Sequence, residues 1–251
     1  MKVRTAVALV AIVLGTPVWA QSSLGISGAT LSLGSTEDED GTRQSHVASS
    51  VDVRITEVHG LQGDLTFSDT ASGTIGQLGA HLYMAPQPGQ KYGLFLSLSD
   101  LDGRSLAWVS LGAEGMLALS ENTAIAGRLG LGAADGNSRD YIFGGVSVVH
   151  AFSPAFEVEA ALDLAEFDEA AFRATAVETS LTARYSAEGS PWGVYASVTH
   201  SDLTGRDGAA AATRIGLGVT FTFGTSGGTD PHTRPFRQSD PVAQLVRRGI
   251  W

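Results

Sequence analysis

From Leu24 onward, apolar residues alternate with small or polar ones in runs of about ten, the period of strands whose two faces meet different surroundings. The run at 213–223 is the clearest. Thr213, Ile215, Leu217, Val219, Phe221 and Phe223 share one face, and Arg214, Gly216, Gly218, Thr220 and Thr222 the other. Phe156, Val158, Ala160, Leu162 and Leu164 oppose Glu157, Glu159, Ala161 and Asp163, and Val51, Val53 and Ile55 alternate with Asp52, Arg54 and Thr56. The pattern predicts twelve strands, at 24–34, 47–56, 60–68, 73–84, 91–99, 105–119, 124–134, 141–152, 156–166, 172–185, 192–201 and 211–223. Ten is the alternative count, because segments one, three and four alternate weakly.

The connections alternate too. One set is compact: 57–59, 85–90 with Pro86 and Pro88, 120–123, 153–155 and 186–191. The other is mostly more polar and often rich in Asp and Gly: 35–46, 69–72, 100–104, 134–140, 167–171 and 201–210. Turns on one side and loops on the other, with an even strand number, are the arrangement of an all-β, transmembrane, antiparallel up-and-down barrel.

Alternation alone fits a soluble sandwich equally well, and the aromatics decide between them. Tyr92, Phe156, Tyr185, Trp192 and Phe223 lie on the apolar face at the turn end of five strands, as a girdle at one membrane interface requires. The opposite face is rich in Gly, Ala, Ser and Thr, for example Ala124, Ala126, Gly130 and Gly132, and carries too few Lys and Glu for the outside of a sandwich. Small residues there fit a narrow lumen.

Lys2 and Arg4, the apolar run 6–14 and Val18-Trp19-Ala20 form a signal peptide predicted over 1–20, too short in its apolar part to span a bilayer. The barrel is then expected over 21–223. Cysteine is absent, which excludes thiol chemistry and disulfide support. Loss of Lys2 and Arg4 takes the formal charge from −10 to −12, so nucleic acid is discounted as a partner.

The closing Gly218-Val219-Thr220-Phe221-Thr222-Phe223 is similar to the Gly-x-x-aromatic-x-Phe assembly signal that ends the last strand of bacterial outer-membrane β-barrel proteins, and 21–223 resembles that superfamily, porin-like in the broad sense. Gly216 stands where a polar residue is usual, and the strand is not the C-terminus. The resemblance implies an outer-membrane location in a Gram-negative cell. It also implies outer-membrane lipid, lipopolysaccharide and the outer-membrane assembly machinery as partners, with Gly218, Phe221 and Phe223 as the assembly signal.

Parity turns Asp52, Arg54, Asp64, Glu114, Arg128, Glu157, Glu159, Asp163, Glu178, Arg184 and Arg214 into the lumen, seven acids against four arginines. A pore so lined is expected to prefer cations weakly; if the charges pair across it, they close it instead. The acidic run Glu37-Asp38-Glu39-Asp40 lacks the ligand spacing of a dedicated cation site and reads as a solvated loop.

Residues 224–251 are read as a periplasmic tail: a Gly-rich linker, Pro231 and Pro235, then a short helix at 241–248 capped by Asp240 and stopped at Gly249. Arg234, Arg237, Arg247 and Arg248 make it basic beside an acidic barrel. It could plug the lumen, dock a periplasmic partner or lie loose.

Enzyme chemistry is poorly supported, and no cofactor, metal or catalytic residue is expected. Gly224-Thr225-Ser226-Gly227-Gly228 matches a nucleophile elbow literally but lacks its strand-to-helix setting. A rim hydrolase would need His46 and His200, near Ser45, Ser201 and Asp202, to meet from strands two and eleven. The leading expectation is a non-enzymatic porin-like barrel for passive diffusion of small hydrophilic solutes or ions. A non-conducting structural or surface-binding barrel is the alternative.

Overall fold

A strand buried in lipid leaves no water for its unpaired amides, so a sheet can cross a bilayer only if its edges close on one another. The computed structural model, which describes residues 25–135, 139–170 and 172–250, shows that closure. Twelve antiparallel strands follow in chain order: β1 (Ile26–Asp38), β2 (Arg43–Arg54), β3 (His59–Thr70), β4 (Gly73–Met84), β5 (Gln90–Leu101), β6 (Ala107–Ser120), β7 (Thr123–Ala134), β8 (Arg139–Ser153), β9 (Phe156–Asp168), β10 (Arg173–Ser186), β11 (Trp192–Thr204) and β12 (Ala209–Gly224). Each pairs with its sequence neighbours, and β1 closes on β12 from Gly28↔Gly224 to Asp38↔Arg214. The strand count is twelve, not ten. The predicted signal peptide lies outside the described residues.

Strands alternate as predicted. Leu78, Leu94, Leu129, Ile142, Leu181 and Leu217 project outward and are exposed, forming an apolar belt, while Gln62, Asp64, His81, Glu114 and Glu159 point inward and are buried. So continuous an exposed apolar surface, running round the whole barrel, suits contact with lipid. Tyr92, Phe156, Tyr185, Trp192 and Phe223 are all exposed at the end where β1 begins and β12 finishes, called the base below. There Trp192, Phe221 and Phe223 pack edge to face.

Two expectations need correction. Connections at both ends are only two to five residues long, so the long polar loops do not exist as such. Their residues continue the ladder beyond the apolar belt; β1 and β2 reach Glu37 and Arg43, whose side chains pair at 2.6 Å. A hydrated strand tip still gains its backbone bonds, and polarity alone did not mark where pairing stops. The second correction concerns the tail. Expected as a periplasmic tail, with plugging the lumen one of three open uses, it lies inside the barrel from about Thr229 to Gly249, where buried carboxylates and amides of the wall hold it.

The small residues of the inner face also work differently from the expected bare narrow wall. The Tyr141 ring lies across Gly132 of the neighbouring strand, and Tyr195 lies across Gly218 and Gly34, where a Cβ would collide with it. Glycine here gives inward aromatics a floor, so the lumen holds more ring than its composition suggests.

Replacing Leu129, mid-strand and 69% exposed, by Arg should destabilise the barrel in phospholipid vesicles by about 2–4 kcal/mol, measured by urea unfolding. Unchanged stability would mean that this face meets water.

Candidate functional site

The lumen is where this fold can do chemistry or transport, and its content is set first by how the chain leaves β12. Gly224 has φ +67°, a left-handed conformation that reverses the chain, and Thr225 anchors the turn by donating its N–H and hydroxyl to the Ser27 carbonyl, both at 3.0 Å. Gly227 and Gly228, also at positive φ, aim the chain into the barrel. The literal elbow motif is therefore a hinge.

The tail then climbs from base to top. Thr229 donates to the Glu121 carbonyl at the base, and His232 contacts the Gln87 carbonyl. Next comes Arg234-Pro235-Phe236-Arg237, where binding is densest. Arg234 meets Glu157 at 3.2 Å and Glu159 at 2.6 Å; Arg237 meets Glu159 at 3.3 Å and Asp163 at 2.9 Å. The wall adds its own cations to these acids, Arg184 to Glu157 and Glu159 and Arg128 to Asp163. Between the two tail arginines, Gln62 clasps the main chain of Phe236, accepting its N–H at 2.8 Å and donating to its carbonyl at 2.9 Å. The Phe236 ring stacks on His81 at 5.9 Å, meets Tyr83 edge-on, and lies under the Lys91 ammonium at 4.6 Å. Lys91 also donates to the Arg234 carbonyl.

Above this, Thr66 holds Gln238, Gln77 donates to the Ser239 carbonyl, and Trp108 donates to Asp240 at 3.0 Å. Asp240 accepts the Ala243 N–H, and α1 (Ala243–Arg247) follows, two residues later than predicted at its start. Val242, Leu245 and Val246 pack among inward-facing Leu101, Trp108, Phe167 and Leu203 at the top. Arg247 faces Glu178 at 3.8 Å, and Arg248 binds the Ser201 carbonyl and hydroxyl.

The predicted lumen charges fall into separate groups. Glu157, Glu159, Asp163, Arg128 and Arg184 converge on the tail, and Arg214 and Glu178 pair near the top at 2.9 Å. Asp64 and Glu114 both grip His81, at 2.7 and 2.6 Å. Asp52 takes Tyr83 and lies 3.8 Å from Lys91, while Arg54 sits near the base, apart from the tail arginines. Sequence reasoning missed Gln62, His81 and Lys91. Lys91 alternates with outward Tyr92, so parity alone could have found it; Gln62 lies in a weakly alternating segment and had no such signal. His46 bonds Tyr195 within the lumen, whereas His200 bonds Thr213 in an exposed position on the outer face, so the two do not share a site. Asp38 uses its carboxylate to close the β1–β2 turn, and no metal-ligand cluster occurs among the described residues.

The tail hugs the β3–β9 side. Beside it a cavity of about 980 Å³ remains, lined by hydroxyls such as Thr30, Ser197 and Thr220 together with Glu157, Glu159 and the tail's Arg234, and reaching turn residues at the base.

No protein-family model matches the chain, and no curated protein sequence matches it. Among solved structures it is similar to the NanC porin (TM-score 0.61, 10% identity, 76% of this chain and 98% of that one). It is also similar to the KdgM porin in complex with disordered oligogalacturonate (0.55, 12%, 77% and 99%) and to an outer-membrane channel from Pseudomonas putida F1 (0.55, 12%, 80% and 96%). The chain has the fold of bacterial outer-membrane porin-like barrels. The belt of exposed apolar side chains around it suits a lipid surround.

Phe236→Ala empties the ring's pocket and should loosen the tail by about 3 kcal/mol. Trypsin should then cut the Arg237–Gln238 bond in the detergent-folded protein at least about tenfold faster than in the unaltered chain. Equal rates would mean that the ring does not hold the tail.

Proposed function

We propose that the protein is a porin-like channel for passive diffusion of small hydrophilic solutes or ions, and that its own tail sets how much of the lumen conducts. The observation that carries this is the cavity of about 980 Å³ beside the seated tail, lined by hydroxyls together with Glu157, Glu159 and Arg184. Hydroxyls exchange hydrogen bonds with a hydrated solute without holding it, as passage requires. Likeness in fold to porins and a channel supports the reading. The base, where the strand sequence begins and ends, faces the periplasm in this proposal.

Weak cation preference belongs to the open state. Seated, the tail brings Arg234 and Arg237 to Glu157, Glu159 and Asp163 and cancels much of the wall's acidity. With the tail displaced, Glu157 and Glu159, which already line the cavity, lose those guanidinium partners and act on the solute as charges.

In planar bilayers the refolded chain should pass a small, poorly selective current. Arg234→Gln with Arg237→Gln should raise it at least about twofold and move the reversal potential toward cation preference. A closed membrane with both proteins at every voltage would contradict the channel and leave the sealed structural barrel.

A further inference from the structure

The contacts of Arg234 to Arg237 have the character of ligand recognition. Gln62, fully buried, pairs with both the N–H and the carbonyl of Phe236, reading an extended main chain as an added strand is read. Glu159, 4% exposed, and its neighbours Glu157 and Asp163 provide two guanidinium sockets, one on either side of that clasp. Between them a pocket of His81, Tyr83 and Lys91 takes one aromatic ring. Pro235 keeps the segment extended before it binds. The occupant reaches this site through a glycine linker, and the cavity beside it opens a route from the base.

A tethered occupant binds at a high effective concentration, of order mM for a short flexible linker, so it hides any weaker affinity of the same site for free ligands. We propose that the β3–β9 face of the lumen is a peptide-reading site. It accepts, in trans as well as in cis, an extended cationic peptide of the form Arg-x-aromatic-Arg, and the tail is its resident copy. This deepens the channel reading and rests on it, since a free peptide must enter by the same mouth; it names cationic aromatic peptides as a solute class that competes with the tail.

The test folds the full chain with a specific protease site inserted between Gly224 and Thr225, both exposed, then cuts it, so that the tail becomes a separable ligand. Fluorescein-labelled peptide of residues 229–241 is added in detergent, and binding is followed by anisotropy. The peptide should exchange with the cut tail and be displaced by its unlabelled form. A peptide carrying Arg234→Glu, Phe236→Ala and Arg237→Glu should compete at least about tenfold more weakly. Equal competition by both peptides would overturn the proposal. So would a cut tail that never exchanges, either in this chain or in one also carrying Phe236→Ala, because no free peptide could then reach the site. Conductance is not read here, so failure of the channel and failure of the peptide site are separately visible.

Discussion

Glu159 gathers three guanidinium groups, Arg184 from the wall and Arg234 and Arg237 from the tail, and the arrangement of the lumen follows from its need for them. A carboxylate so buried is stable only when paired and hydrogen-bonded, because removing one partner leaves a charge that neither water nor protein satisfies. The wall offers one cation to the Glu157–Glu159 pair; the tail brings two more. Charge thus draws the tail inward, and the Gly224 reversal makes the inward path accessible to the chain.

The remainder of the structure adds direction to that attraction. Base contacts, the central Gln62 clasp and the apolar cluster around α1 succeed one another with height, so the tail has one register in the barrel. Its hydrophobic end sits farthest from the linker, among Leu101, Trp108 and Phe167. That end packs at the top, and the cavity lies below it. In the proposed channel the wall and its own obstruction belong to one molecule, and the proposed peptide-reading site is the junction between them.

Much of this was legible in the sequence. Parity placed Ile215, Leu217 and Phe223 outward and Glu157, Glu159 and Asp163 inward, because a period of two carries one bit per residue and errors cannot hide within a strand. The aromatics at the base were readable for the same reason. Parity says nothing about what fills the space enclosed. The pairing of Arg234 with Glu159 joins positions 75 apart, and no local pattern reports it. Tyr141 and Tyr195 were obscured because the glycines that receive them lie on neighbouring strands, a relation that register creates. Strand tips were misplaced for a different reason: polar residues at 35–46 look like loop, yet ladder bonds persist wherever a partner strand continues.

The central claim is that the tail occupies the lumen at mid-height, and the absence of cysteine makes it directly measurable. Thr66 and Gln238 contact each other inside the barrel, from β3 and from the tail. In a chain carrying Thr66→Cys and Gln238→Cys, folded into vesicles and treated with a short bis-methanethiosulfonate reagent, a single bridged species should dominate by intact mass. Two separately labelled thiols with no bridge, both reached by a bulky water-soluble maleimide, would show the tail to lie outside the barrel and contradict the account.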